Sequence, residues 1–155
     1  GLLYIYTLGP LRESKDLKHI LVCKDNFPRF VILPGLEDKQ ATTRAKALEE
    51  NMFKYFGLPE KIEGRISQPL IQTQLKIYVK YCHYLEKIVA YNPHDNSAEC
   101  SHSDIMQIRQ DVTSGTPDEW ASYLPATHLA LISTVHSITK FRPGYLFLGT
   151  PLLLH

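Results

Sequence analysis

Residues 19–34 read HILVCKDNFPRFVILP. His19-Ile20-Leu21-Val22-Cys23 is a run of bulky and branched apolar side chains, and such residues fit a buried pleated surface. Asn26-Phe27-Pro28-Arg29 carries the punctuation of a tight turn, and Phe30-Val31-Ile32-Leu33 is a second apolar run. Pro34-Gly35 is expected to stop it. Two such runs across a short turn make a hairpin. Upstream, Leu2-Leu3-Tyr4-Ile5-Tyr6 is a further apolar and aromatic run that ends at Gly9-Pro10. The polar stretch Arg12 to Lys18 reads as a turn between them. Three strands at this spacing predict an antiparallel meander.

Downstream the period changes from two to 3.6. Ala41, Ala45, Leu48 and Met52 follow the spacing of one helix face, with Gly57 placed as a C-terminal stop. Lys61-Ile62-Glu63 predicts a fourth strand. Ile71, Leu75, Tyr78 and Cys82 mark a second amphipathic helix, and Lys87 to Ala90 a fifth strand. Tyr91 to Asn96 is a loop. Asn96 and Glu99 have the spacing of a capping box for a third helix, with Ile105, Ile108 and Val112 on its apolar side. Ser114-Gly115 breaks it. Thr116 as cap, Pro117 in the first turn and Glu119 at the third position predict another helix start, continued by Trp120, Leu124 and Leu131. Pro125 is expected to kink that helix. A last short helix is expected over Gly144 to Leu148. This order predicts an α/β fold with a mixed sheet and helices on both faces.

The 155 residues are 44% hydrophobic, one domain's worth of chain with enough apolar content for a core that needs no staples. A net charge of +1 excludes a global basic field, so any nucleic-acid contact would need a local patch. Cys23, Cys82 and Cys100 are an odd number with no close pair, which argues for reduced thiols and an intracellular setting, nuclear or cytoplasmic. No apolar run approaches the length of a membrane span. Both ends read as cuts from a longer protein, so residues 1–155 are expected to be one domain excised from it.

The residues also carry a family resemblance, in order along the chain. IYTLGP (5–10) is similar to a first strand in which an acidic residue stands three positions before Gly-Pro. Residues 19–34 resemble the hairpin pattern ILVxxDxFSRWxxxxP, with Asp25 on its Asp. ATTRAKALEENMFKYFGLPEKI (41–62) resembles the helix and FGxPxxI turn that follow. YNPHDNSAEC (91–100) is similar to YHPQxNGxxE. Residues 118–149 resemble DxWxxxLPxAxxAYNxxxHSxTGxSPxxLxxG. The resemblance is to the integrase catalytic core of gypsy-type long-terminal-repeat retrotransposons and retroviruses. It implies an RNase H-like fold with a five-stranded mixed sheet.

In that family three carboxylates hold two divalent ions, which activate the attacking oxygen and stabilise the leaving oxygen of a phosphoryl displacement. The resemblance places the three positions at Tyr6, Arg65 (with Gly64 as the alternative) and Cys100. A neutral phenol is a poor ligand for a hard cation, and a guanidinium repels one. Glu99 is adjacent to the third position, but one step along a helix turns a side chain by about 100°, and the capping box already employs it. The expectation is a chain that holds no metal and no cofactor and is not an enzyme.

Other constellations are weaker. His94, Cys100, His102 and Asp104 are metal-ligand types without the spacing of a zinc site. Cys82-His83 suggests a thiol nucleophile, but Cys82 lies on an apolar helix face and reads as core. Lys76, Lys80 and Lys87, and again Lys140 and Arg142, are loose basic clusters of the sort a remnant nucleic-acid groove would use. Tyr78, Tyr81, Tyr84 and Tyr91 suit an interface, because aromatic residues are enriched there and cores of this family pair into two-fold dimers. The functional expectation is an inactive, domesticated core that acts as a protein-interaction or dimerisation module. It would be a homodimer with a possible protein partner. One alternative is a nucleic-acid-binding remnant. Another is residual nuclease or strand-transfer activity with Glu99, Glu63 or Asp25 as substitute ligands.

Overall fold

The computed structural model describes residues 1–64, 106–108, 110, 114 and 116–152. Its strands are β1 (Leu2–Leu8), β2 (His19–Asp25), β3 (Val31–Ile32), β4 (Gly35–Leu36) and β5 (Lys61–Gly64). Helix α1 (Ala41–Leu48) passes into a π-helical turn (Glu49–Phe53) and then α2 (Lys54–Phe56). Helices α3 (Trp120–Ser133) and α4 (Pro143–Leu148) complete the long elements, and residues 106–108 are also helical.

The sheet order is β3-β2-β1-β5, with β4 also paired to β2. β1 runs antiparallel to β2 with Tyr6 opposite Val22, and parallel to β5 with Ile5 opposite Gly64 as the last pair. The sheet is therefore mixed. β1 and β2 are buried along nearly their whole length, which explains why they read as continuous apolar runs rather than alternating ones.

Successive side chains still go to opposite faces. Leu3, Ile5, Leu21, Cys23 and Leu36 pack with Ala47, Leu48 and Met52 of the first helical run. Tyr6, Leu8, Ile20, Val22 and Phe30 pack with Trp120, Leu124 and Ile132 of α3 and with Ile108. Helices thus cover both faces of the described sheet.

The third strand departs from expectation. Pro34 does not end the pairing: its carbonyl accepts the Leu21 N–H at 2.9 Å, and Gly35–Leu36 re-pairs with His19–Ile20 as β4. Proline lacks a donor but not an acceptor, so the chain stays against β2. The Lys87 to Ala90 strand and the helices expected at Ile71 to Cys82 and from Asn96 lie outside the described residues.

Gly57 ends the first helical run with φ 73°, a conformation open to glycine at no steric cost. α3 starts at Trp120, four residues after the expected cap. The Thr116 hydroxyl donates to the Glu119 carboxylate at 3.0 Å instead of capping a backbone N–H, so the expected capping box closes on itself and leaves Glu119 as the cap. Helical residues continue on both sides of Pro125. α4 begins on Pro143 and ends at Gly149, φ 71°.

Two ties fix α3 against the β1–β2 connection. The Trp120 indole N–H donates to the Arg12 carbonyl, and the Ala121 N–H donates to Ser14 Oγ at 3.3 Å. A Cβ on Gly144 would run into Leu152 Cδ1 and lie 3.1 Å from the Ile132 carbonyl, so a side chain there would press on the close packing of α4 against α3.

Candidate functional site

Tyr6 lies in the middle of β1 on the α3 side of the sheet, among Leu8, Ile20, Val22 and Trp120. It is buried, and its hydroxyl finds no hydrogen-bond partner among the described residues. Burial pushes the phenol well above its usual range, with a smaller push from Cys23. The group is a neutral phenol in apolar surroundings. It offers no anionic oxygen, the ligand type that anchors a hard divalent cation most strongly.

Asp25 is the only proposed substitute ligand whose side chain is described. It ends β2 opposite Leu3, three residues along from the Tyr6–Val22 pair. That odd offset puts it on the α1 side, about 10 Å along the strand at ~3.4 Å per residue. Its Oδ1 accepts the Phe27 N–H at 3.0 Å, which closes the turn into β3. Asp25 is thus a turn residue on the face away from Tyr6. Glu63 is placed in β5 opposite Tyr4.

Arg65, Cys100 and Glu99 lie outside the described residues. So do His94, His102 and Asp104, the Cys82-His83 pair, Tyr78, Tyr81, Tyr84 and Tyr91, and Lys76, Lys80 and Lys87. Among the described residues no group of three or more His, Cys, Asp or Glu is placed to hold a metal ion. Cys23 is fully buried and burial pushes its thiol above the usual range, so it is an inert core thiol.

Three arrangements were not legible in the sequence as sites. The first is an aromatic groove between the end of the first helical run and α3. Phe30 stacks on Phe147 with centroids 4.3 Å apart, and Phe56 meets Phe147 edge-on at 4.9 Å. His128 abuts Phe30 edge-on at 5.8 Å. The groove, about 360 Å³, is lined by Phe30, Asn51, Tyr55, Phe56, Leu124 and His128 among others, and Tyr55 is 68% exposed at its edge. Burial lowers the His128 pKa, while an imidazole hydrogen bond to the Val31 carbonyl opposes the shift; Nε2 has no partner among the described residues.

The second is a basic cluster. Lys24 of β2, Arg29 of the turn and His136 after α3 stand near one another. Burial lowers the His136 pKa first, and the two cations lower it further. The third is the corner between α3 and α4, where Lys140 and Arg142 border a cleft of about 230 Å³ lined also by Val135, Phe141, Tyr145 and Pro151. Lys140 and Arg142 were legible as a loose basic pair. The apolar cleft beside them was not, because Val135, Phe141 and Pro151 have no common period in the sequence.

A mixed sheet covered by helices on both faces, with β1 between an antiparallel β2 and a parallel β5, is the RNase H-like arrangement of an integrase catalytic core. Solved structures agree. The chain is similar to the HTLV-2 integrase catalytic core domain in complex with magnesium, in a trimeric form, at TM-score 0.64 and 12% identity over 92% of this chain and 93% of that one. It is similar to the BIV integrase catalytic core domain at TM-score 0.66 and 14% identity, over 96% and 93%. Against the simian T-cell lymphotropic virus intasome in complex with PP2A regulatory subunit B56 gamma the TM-score is 0.70 at 12% identity, over 99% of this chain and 56% of that one. No family model and no curated protein matches the sequence. Identity this low establishes the fold, an integrase-like core.

Proposed function

We propose that this chain is a catalytically inactive integrase-like core, a domesticated copy of a gypsy-type element, that serves as a protein-interaction and dimerisation module within a larger intracellular host protein. One host protein of that kind joins an NYN ribonuclease-like domain to retroelement-derived ribonuclease H and integrase regions, and we propose this chain as its integrase part on the family resemblance alone. The observation that carries the reading is Tyr6. The position where the resemblance expects the first metal-binding carboxylate holds a buried, neutral phenol. Arg65 and Cys100 at the other two expected positions support it from the sequence alone.

The aromatic groove between the first helical run and α3 is the face proposed for pairing with a second copy. Tyr55 and Phe56 stand at its exposed edge, and large aromatic residues anchor interfaces.

The test is a titration with Mg²⁺ and Mn²⁺ to millimolar concentration, read by melting temperature and by strand-transfer and nuclease assays. The reading expects no shift and no product. A metal-dependent rise in melting temperature, or any product, overturns it, because a ligand that binds only the folded state must stabilise it. Sedimentation velocity tests the pairing: the chain should dimerise, and Tyr55→Ser with Phe56→Ser should shift it toward monomer. A strict monomer at high concentration removes the dimer from the proposal.

A further inference from the structure

The turn from α3 to α4 is a rigid piece of backbone that holds apolar side chains outward. The His136 N–H donates to the Phe141 carbonyl at 2.9 Å, and the Lys140 N–H donates to the His136 carbonyl at 2.8 Å. The Thr139 hydroxyl donates to the Phe141 carbonyl at 3.3 Å. Within and beside this pinned turn Val135, Ile138, Phe141, Tyr145 and Leu148 are all exposed, and Phe141 is 53% exposed. The bonds fix the backbone that presents Ile138 and Phe141 to solvent, and Val135, Tyr145 and Leu148 stand at the helix ends beside it. Exposed apolar side chains grouped in this way mark interaction sites rather than scattered surface.

The charged residues here sit against local preference. Lys140 has φ 60°, the left-handed region that favours glycine. Arg142 is the N-cap of α4 and makes no capping hydrogen bond, where a short hydroxyl or carboxylate side chain would. The pattern HSxTGxSP, which residues 136–143 resemble, carries glycine and serine at those two places. Two cations therefore replace the residues the backbone would prefer. Among the described residues neither is in an ion pair.

The cleft beside them, about 230 Å³, is smaller than a small-molecule site and suits one anchoring side chain. Val135, Phe141, Tyr145 and Pro151 give it an apolar lining, while Lys140 and Arg142 supply positive charge. We infer that this corner docks an acidic peptide segment of a protein partner, with one aromatic or large aliphatic residue seated in the cleft and flanking carboxylates on Lys140 and Arg142. The cleft itself carries two cations, few for tracking a phosphate backbone, and its apolar lining of Val135, Phe141 and Pro151 matches a hydrocarbon side chain better than a polar base edge. The inference rests on the reading of the chain as an interaction module and gives one of its surfaces a ligand chemistry.

The experiment uses the full 155-residue chain, fluorescence anisotropy, and a fluorescein-labelled peptide of sequence Glu-Asp-Glu-Phe-Glu-Asp-Glu at low ionic strength. The same peptide with Gln and Asn for its acidic residues and a labelled oligothymidine form the comparison arms. The acidic peptide should bind, and the neutral one should bind about five-fold more weakly or worse, as should the acidic peptide to Lys140→Gly or Arg142→Ser. Both variants restore locally preferred residues, so weaker binding with unchanged or raised melting temperature is a loss of docking and not of folding. No binding of the acidic peptide, equal binding to the variants, or tighter binding of oligothymidine overturns the inference. Metal-dependent catalysis would sink the inactive-core reading without changing these titrations, and a failed titration would leave that reading in place.

Discussion

Tyr6 pairs with Val22 across β1 and β2, and the phenol it carries is buried among apolar side chains with no hydrogen-bond partner for its hydroxyl among the described residues. An unsatisfied buried hydroxyl carries a desolvation cost of about 1–3 kcal/mol. Tyr6→Phe removes that cost while keeping the ring, so it should leave stability unchanged or raise it by about 1 kcal/mol. Tyr6→Asp restores the charge type of an active core but buries it alone and should lower stability by about 3–5 kcal/mol. Urea denaturation of both variants checks the pair. A stable Tyr6→Asp variant would mean that cations or water reach this position.

Trp120 ties the helical layer to the sheet by two means. Its ring is almost fully buried in the α3-side core, and its indole N–H holds the Arg12 carbonyl in the loop after β1. Trp120→Ala should lower stability by about 3–5 kcal/mol through the cavity left behind. Trp120→Phe should cost less, because part of the ring volume is kept and the hydrogen bond alone contributes about 1 kcal/mol. Denaturant midpoints for the two variants separate packing from hydrogen bonding.

Three histidines give stability a common pH dependence. His128, His19 and His136 all have pKa values lowered from 6.5 in the folded chain, in each case chiefly by burial. Unfolded, these groups take up protons as the pH falls through about 6.5; folded, they resist until the pH is lower. In that window the unfolded state binds more protons, so stability is full above pH ~6.5 and falls below it. His128 has Phe30 on its edge and gives its other nitrogen to the Val31 carbonyl. Denaturant midpoints at pH 7.5, 6.5 and 5.5 should fall in that order, and His128→Phe should reduce the drop. An unchanged slope in that variant would shift the effect to His19 and His136.

The fold was largely legible from the apolar runs at Leu2–Tyr6 and His19–Cys23, since strands buried on both faces need continuous hydrophobic sequence. The Gly57 stop was legible because glycine there takes positive φ. The re-pairing at Gly35 was not, because a proline reads as a terminator while its carbonyl still accepts. The start of α3 was misplaced because Thr116 and Glu119 satisfy one another, a choice between two partners that spacing cannot reveal. Tyr6 was singled out from its place before Gly9-Pro10, but the core cluster it is buried in includes Trp120 and Ile108, residues far away in the chain. The aromatic groove was missed for the same reason: Phe30, Phe56, His128 and Phe147 come from four separate segments.

Lys140 and Arg142 set stability against charge. A lysine at φ 60° is strained by its Cβ, by about 1–2 kcal/mol for an L-residue in the left-handed helical region. Lys140→Gly relieves that strain but loosens the unfolded chain, which returns roughly 0.5–1 kcal/mol of the gain. The net expectation is a rise of about 0.5–1 kcal/mol. Arg142→Ser supplies a hydroxyl that can accept the N–H of the first turn of α4, worth about 0.5–2 kcal/mol. The two positions are close enough in the chain to share a turn, so their gains need not add. Thermal unfolding of the single and double variants measures this directly. If both stabilise the fold, the native residues are held there at the expense of stability, and a charge requirement at this corner is the simplest reason. If Lys140→Gly instead destabilises, the lysine stem packs against the cleft, and its charge is incidental to why it stands there.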